Sequence, residues 1–387
     1  MDNRPESLTG SRAAQILQVV HATPGITRVE LTRRLGISSG SAADLVRQLQ
    51  RRRLIAESVA AASGRRGRPT LELGAHPQGP LAGVAVIGHE TWTVCAVELG
   101  GGIHGRLEGR HKRNPKAVCA DVRKALGEMC SQVPGRVRAV AVSVPGIAEG
   151  ETLVEAPSLG WRDLDLASLL IPRELHAVPF LLGNDANLAA LGESRRGAAA
   201  KIDSSLHIYM HSGIGGALIS DGALLSGARG IAGEFGHLPF GSRTRRCRCG
   251  ALGCWNTSLD GAAFARELGC AESADEITLI ASTLAAAAER PGRERTAAKR
   301  VGRTLGRGIA GLVNALDPEV VILGGLAPRL LAVARDTIDA GYASGLMGTH
   351  SREPAPLRAG SLGDDAPLLG AGVLAFARIL SDLRARA

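Results

Sequence analysis

Three cysteines and a histidine are spaced as metal ligands. Cys247, Cys249 and Cys254 fall within eight residues, in Cys247-Arg248-Cys249-Gly250-Ala251-Leu252-Gly253-Cys254, and His237 lies ten residues upstream in Gly233-Glu234-Phe235-Gly236-His237. Zinc takes about four thiolate or imidazole donors at tetrahedral corners, which this set supplies. The intervening glycines let the backbone turn tightly enough to aim three sulfurs at one point. A second constellation is Gly183-Asn184-Asp185-Ala186-Asn187, between the apolar run 178–182 and a stretch rich in small residues. A carboxylate at a strand end beside a helix start suits hydroxyl recognition or general-base work. An aspartate that merely caps a helix gives the same pattern.

These groups need a scaffold, and the surrounding residues describe one. Leu81-Ala82-Gly83-Val84-Ala85-Val86-Ile87 reads as a buried strand, followed by the turn Gly88-His89-Glu90 and a second strand over 91–99. The plan recurs from Leu206: a strand over 206–210, the turn Ser212-Gly213-Ile214-Gly215-Gly216, a strand over 217–219 and the turn Asp221-Gly222. Two lobes that open alike predict a duplicated α/β fold of the actin-like ATPase kind. In that fold the glycine turns face each other across a cleft and hold phosphates through backbone N–H groups. A helix over 297–316, with Val301, Leu305, Ile309 and Val313 on one face, precedes a buried strand ending in Gly324-Gly325. That strand end is either a cleft edge, where α/β sheets bind ligands, or a tight turn.

The N-terminal fifth differs in charge and pattern. Residues 1–79 hold 12 arginines, no lysine and 6 acidic residues, a net +6, whereas the remaining 308 residues carry only +3 of the total +9. Such asymmetry predicts a nucleic-acid-binding module joined to a near-neutral domain. A helix over 11–22 ends at Pro24-Gly25. A second, capped by Thr27, places Val29, Leu31 and Leu35 inward and stops at Gly36. A third, capped by Ser38 or Ser39, runs to about Arg53 with Ala42, Leu45, Val46 and Leu49 inward. This is a helix-turn-helix pattern. Ser38, Ser39 and Ser41 are small enough for close approach to the major groove, and Arg47 can reach a phosphate or a base edge. Two short strands flank Gly64-Arg65-Arg66-Gly67-Arg68-Pro69, a wing whose Arg65, Arg66 and Arg68 suit a narrow minor groove. Residues 1–75 form the DNA-binding unit, 76–80 a linker and 81–387 the large domain. Cys95, Cys119, Cys130 and Cys270 lack disulfide spacing, which favours a reducing cytoplasm. No uninterrupted apolar run approaches the ~20 residues of a membrane span.

Together these residues resemble the ROK family of sugar-responsive repressors and sugar kinases, in its winged-helix repressor branch. The resemblance implies a winged helix-turn-helix plus a two-lobed actin-like (ribonuclease H-like) domain with a zinc loop. It implies that His237, Cys247, Cys249 and Cys254 hold Zn2+, and that Asn184, Asp185, Glu234, His237 and Asn256 line a sugar pocket. Asp185 matches the aspartate that is the base in the kinases. Three departures stand out. The kinases open with Asp-x-Gly-Gly-Thr; aligned on Ile87-Gly88 that aspartate is Val86, and slid by one residue it is Ala85, while His89-Glu90 occupies the neighbourhood of the threonine. Asn256 replaces a sugar-contacting glutamate, and Ser158 an asparagine. The expectation is therefore a transcriptional regulator without kinase catalysis. It would bind operator DNA as a homodimer or tetramer and respond to a sugar or related small ligand. The alternatives are an active sugar kinase with a DNA-binding arm and a regulator controlled by a protein partner.

Overall fold

The computed structural model describes residues 11–59, 71–273 and 275–385. The first unit comprises α1 (Ser11–Ala22), β1 (Ile26–Thr27), α2 (Arg28–Leu35), α3 (Ser39–Arg51), β2 (Ile55–Val59) and β3 (Leu71–Ala75), with the strands ordered β1-β3-β2. Local chemistry sets the helix ends. The Thr27 hydroxyl accepts from the Glu30 N–H at 3.2 Å while Glu30 accepts from the Thr27 N–H at 3.0 Å, a reciprocal cap. Gly36 ends α2 at φ +61°, a conformation that favours glycine. The Ser38 hydroxyl caps α3 by accepting from the Ser41 N–H at 3.2 Å. One inward assignment fails: Val29 is 77% exposed. Residues two apart on a helix face roughly opposite sides, so with Leu31 fully buried Val29 must point outward.

The first lobe of the large domain contains β4 (Leu81–Ile87), β5 (Thr91–Glu98), β6 (Ile103–Arg110), α4 (Pro115–Gln132) and β7 (Val137–Val144). A small sheet of β8 (Ile147–Glu149), β9 (Thr152–Ala156) and β10 (Trp161–Asp165) follows, then α5 (Leu166–Leu170), β11 (Phe180–Asn184) and α6 (Asp185–Arg196). The second lobe contains β12 (Ser205–Met210), β13 (Ile214–Ser220), β14 (Ala223–Leu224), α7 (Gly261–Leu268), α8 (Glu276–Glu289) and α9 (Arg293–Leu316). It continues through β15 (Val320–Gly325), α10 (Ala327–Gly345), α11 (Gly348–Arg352), β16 (Leu357–Ala359) and α12 (Ala366–Ala385).

The sheets have the same plan. One is ordered β11-β7-β4-β5-β6 and the other β14-β13-β12-β15-β16. In each, the first strand forms an antiparallel meander with the next two and pairs in parallel with a later strand (β4 with β7, β12 with β15), to which a fifth adds in parallel. The duplication expected from the repeated strand–turn–strand pattern is thus a repeat of the whole five-stranded topology.

The terminal helix ties the parts together. Over Gly363–Arg384 it is long and apolar enough to cross a membrane, although Arg378 and Asp382 interrupt it, and 67% of that window is buried inside the protein. Its burial is that of a core helix. Phe376, Ile379, Leu380 and Leu383 share one hydrophobic core with Ile16, Leu17 and Val20 of α1, so the winged helix is docked on the large domain through apolar contact.

Candidate functional site

The cysteine knuckle folds as its glycines demand. The Cys247 N–H donates to the Ala251 carbonyl at 2.8 Å and the Gly250 N–H to the Cys247 carbonyl at 2.9 Å. Gly250 and Gly253 take φ values of +93° and +79°, the left-handed region that side chains disfavour. The result gathers one donor atom each from His237, Cys247, Cys249 and Cys254 within 4.8 Å of one another. Cys249 Sγ lies 3.6 Å from Cys254 Sγ, and Cys247 Sγ lies 3.7 Å from His237 Nδ1. A zinc tetrahedron with thiolate bonds of about 2.3 Å has edges of about 3.7 Å, so the donor set fits a tetrahedral metal. The other ring nitrogen, His237 Nε2, is 3.7 Å from Glu234 Oε2. At that distance the carboxylate is a charged neighbour of the ring and not a hydrogen-bond partner.

Glu234 and His237 belong to the wall of a cavity of about 790 Å³, shared with Asn184, Asp185, Ser158 and Asn256. Asp185 stands at the first position of α6, directly after β11, as the strand–helix pattern anticipated. Burial pushes its carboxyl up to about 6; the Ala186 N–H, donating at 2.9 Å, pulls the other way, and the nearby Glu234 adds to the rise. Glu234 is likewise raised by burial. The two flanking amides have structural duties. Asn184 Oδ1 accepts from the Ala186 and Asn187 N–H groups at 2.9 and 3.1 Å, capping α6, and Asn184 Nδ2 donates to the Gly146 carbonyl at 3.0 Å. Asn256 Oδ1 accepts from the Ile214 N–H at 2.5 Å, fastening the knuckle to the second glycine turn. Arg248 of the knuckle also faces the cavity, where it is paired with Glu276.

His89 of the first turn, Tyr209, His211 and the second turn (Ser212 to Gly216) all line the same cavity, with the rings stacked along its wall. The second turn is shorter than its sequence implied, because Ile214, Gly215 and Gly216 already belong to β13. His89 from the first turn and His211, just before the second, stack with centroids 4.9 Å apart, and Tyr209 continues the ladder at 6.1 Å from His211. His89 Nε2 is 3.5 Å from Ser212 Oγ. Burial, reinforced by His211 and then by Arg113, lowers His89 to about 3, so its ring is neutral. Val86 is packed against the hydrophobic core. Gly324 and Gly325 border a cavity of only about 30 Å³; a side chain on Gly324 would meet the Tyr209 ring at 2.8 Å and one on Gly325 the Met210 carbonyl at 2.2 Å. Those glycines therefore serve close packing. In sequence His89 stands out only as taking the place of a threonine, and nothing marks His211 and Tyr209, because the His89–His211 contact forms only when the lobes come together.

In the winged helix, Ser38, Ser39, Ser41 and Arg47 lie on the exposed face of α3, opposite buried Ala42, Val46 and Leu49. Arg47 is held by Asp44 one turn away, with both side chains well exposed. The Ser41 and Ser38 hydroxyls are bonded to each other at 2.9 Å. Arg65, Arg66 and Arg68 lie outside the described residues.

Known proteins share this arrangement. Residues 84–378 match the ROK family model and residues 14–56 a winged helix-turn-helix DNA-binding model. The xylose repressor of Bacillus subtilis is 26% identical over 372 residues, covering 92% of both chains. A solved ROK family transcriptional regulator, a homologue of the E. coli MLC protein, superposes with a TM-score of 0.75 at 21% identity and 97% coverage of both chains. A ROK family glucokinase from Streptomyces griseus, solved with glucose and AMPPNP, gives 0.64 at 27% identity, covering 77% of this chain and 99% of its own. With a family model spanning most of its length and an N-terminal winged helix-turn-helix, the chain belongs to the ROK family.

Proposed function

We propose that the protein represses transcription by binding operator DNA through α3 and the wing, and that a neutral sugar or related polyol in the 790 Å³ cleft releases it. The chain is a sugar-responsive DNA-binding repressor in architecture, winged helix and kinase-like sensor in one polypeptide. The observation that carries the finer reading is the placing of Asp185 and Glu234 together in that cleft, with the metal-site histidine against Glu234. Carboxylates accept strongly from hydroxyl donors, and a diol can satisfy both oxygens of one carboxylate. Zinc in the His237–Cys247–Cys249–Cys254 set would supply rigidity to this wall, and the residues themselves would do the binding and orienting.

Phosphoryl transfer is disfavoured on the other side of the cleft. Nucleotide phosphates need backbone N–H groups, a magnesium-binding carboxylate and open space. Val86 offers no carboxylate, and beside the second glycine turn the cavity wall carries the stacked His89 and His211 rings and Tyr209 in place of a magnesium ligand. A homodimer would present two recognition helices about 34–36 Å apart, matching successive major grooves on one face of DNA. The experiment is a gel shift at fixed salt on a duplex enriched by the protein from a random library. Arg47→Ala and the Arg65/Arg66/Arg68 triple alanine should each weaken binding about tenfold or more, since several phosphate or base contacts are lost. Unchanged binding of both variants would overturn the DNA-reading assignment.

A further inference from the structure

We propose that α6 is the rod that carries sugar occupancy to the DNA-binding unit, and that Arg196 at its far end is the residue coupling the two. The proposal rests on the reading of the Asp185 cleft as a sugar site. The helix has its ends in both places. Its first residues, Asp185, Ala186 and Asn187, line the cleft. Its last, Arg196, lies about 16–17 Å away at the rise of an α-helix and sits where the winged helix meets the large domain. There Arg196 Nη1 donates to the Gly100 carbonyl at 2.5 Å and Nη2 to the His21 carbonyl at 3.2 Å. The Gly100 N–H returns a hydrogen bond to His21 Nδ1 at 3.2 Å, and the His21 ring stacks on Phe376 with centroids 5.0 Å apart. One guanidinium thus joins the end of α1, the β5–β6 turn and the end of α6.

Three observations make this junction more than a surface contact. First, Arg196 is largely buried and its hydrogen-bond partners are carbonyl oxygens and an imidazole, so its charge depends on those few groups. Second, His21 is held neutral, at about 3, by burial and then by Arg196 and Arg195, so it can accept from Gly100 as drawn. Third, α6 has little freedom to absorb movement along its length. A side chain on Gly370 of α12 would lie 1.7 Å from the Leu188 carbonyl and one on Gly192 of α6 would lie 2.5 Å from the Ala366 carbonyl, so the two helices meet backbone to backbone. Near the end of α6 buried Glu193 accepts from the Ala198 and Leu362 N–H groups at 2.7 and 2.8 Å. The α6–α12 pair therefore moves as one body; the apolar core on α12 holds α1 in place, while Arg196 is the hydrogen-bonded contact through which α6 itself orients the end of α1. A displacement of Asp185 on ligand closure reaches His21 without any intermediate loop.

The test uses the zinc-loaded full chain with D-xylose and D-glucose as probes and the library-enriched duplex as DNA. Sugar should weaken wild-type DNA affinity by about tenfold or more, within the usual range of coupling between sites. Arg196→Met should keep sugar affinity and sugar-free DNA affinity within about threefold of wild type, while the sugar effect on DNA falls below about twofold. Arg196→Lys, which can reach one carbonyl, should recover part of it. A wild-type sugar response in Arg196→Met overturns the proposal. If neither sugar binds the wild type, the sugar-site reading fails on its own terms, and coupling is read by amide exchange over residues 11–22. Asp185→Asn should then change that exchange in the wild-type background and not in the Arg196→Met background. No change in either background, or an equal change in both, overturns it.

Discussion

On one side of the cleft stand Asp185, Glu234 and His237, the groups we propose to meet a sugar, with His237 in the cysteine cluster that could hold a metal. On the other, Val86 joins the core and the His89, His211 and Tyr209 rings stack along the cavity wall beside the second glycine turn. Both halves rest on the same duplicated scaffold, and Asn256 physically links them by accepting the Ile214 N–H. The contrast teaches that backbone architecture survives independently of the chemistry mounted on it. A glycine turn keeps its shape with imidazoles stacked beside it, whereas a sugar site needs its carboxylates themselves.

The comparison breaks most visibly at the knuckle. Cys249→Ser should reduce bound metal from near one per chain to below about 0.2 and open residues 242–256 to protease, since structural zinc contributes about 10 kcal/mol or more of apparent binding energy. Metal analysis showing full occupancy in the variant would remove the metal from the sugar-side wall.

Next comes Asp185. Asp185→Ala should weaken sugar binding about 100-fold by calorimetry, the loss expected for two hydrogen bonds to a charged group. Its titration sharpens the point. Burial raises the carboxyl from 3.8 to about 6, so the folded protein binds the extra proton and stability falls as pH rises from about 4 to 6. Asp185→Asn should abolish that slope and stabilise the unliganded protein at pH 7 by on the order of 2–3 kcal/mol, read by thermal unfolding across pH. Sugar affinity should rise as pH passes upward through about 6, because hydroxyls donate to the ionised form. A flat pH profile in the wild type contradicts this account of the carboxyl.

The smallest effect belongs to the phosphate side. The His89→Gly/His211→Gly double variant should lose about 1–3 kcal/mol of stability with its ring stacking and burial, yet shift sugar affinity by less than about threefold. A loss of sugar binding comparable to that of Asp185→Ala would erase the distinction between the halves.

Much of this arrangement was legible in the residues. The ends of α1 follow from Pro24-Gly25, the start of α2 from Thr27 with Glu30, and the strand before Asp185 from its apolar run. The knuckle was readable because its ligands are close in sequence and its glycines are obligatory. What escaped notice depends on contact between distant segments. The His89–His211 stack joins residues 122 positions apart, and no local pattern marks either ring as part of the cavity wall. The Asn184 and Asn256 amides look like ligand contacts in sequence; only the fold reveals that their oxygens are taken by backbone N–H groups. Arg196, an unremarkable basic residue at a helix end, gains its meaning from Gly100 and His21.

The most direct test is calorimetric titration of the zinc-loaded wild type with D-xylose or D-glucose and, separately, with magnesium–ATP. The account predicts Asp185-dependent sugar binding and no nucleotide binding at millimolar ATP. Saturable micromolar ATP binding, or ADP release with any hexose that Asp185→Asn abolishes, would contradict it.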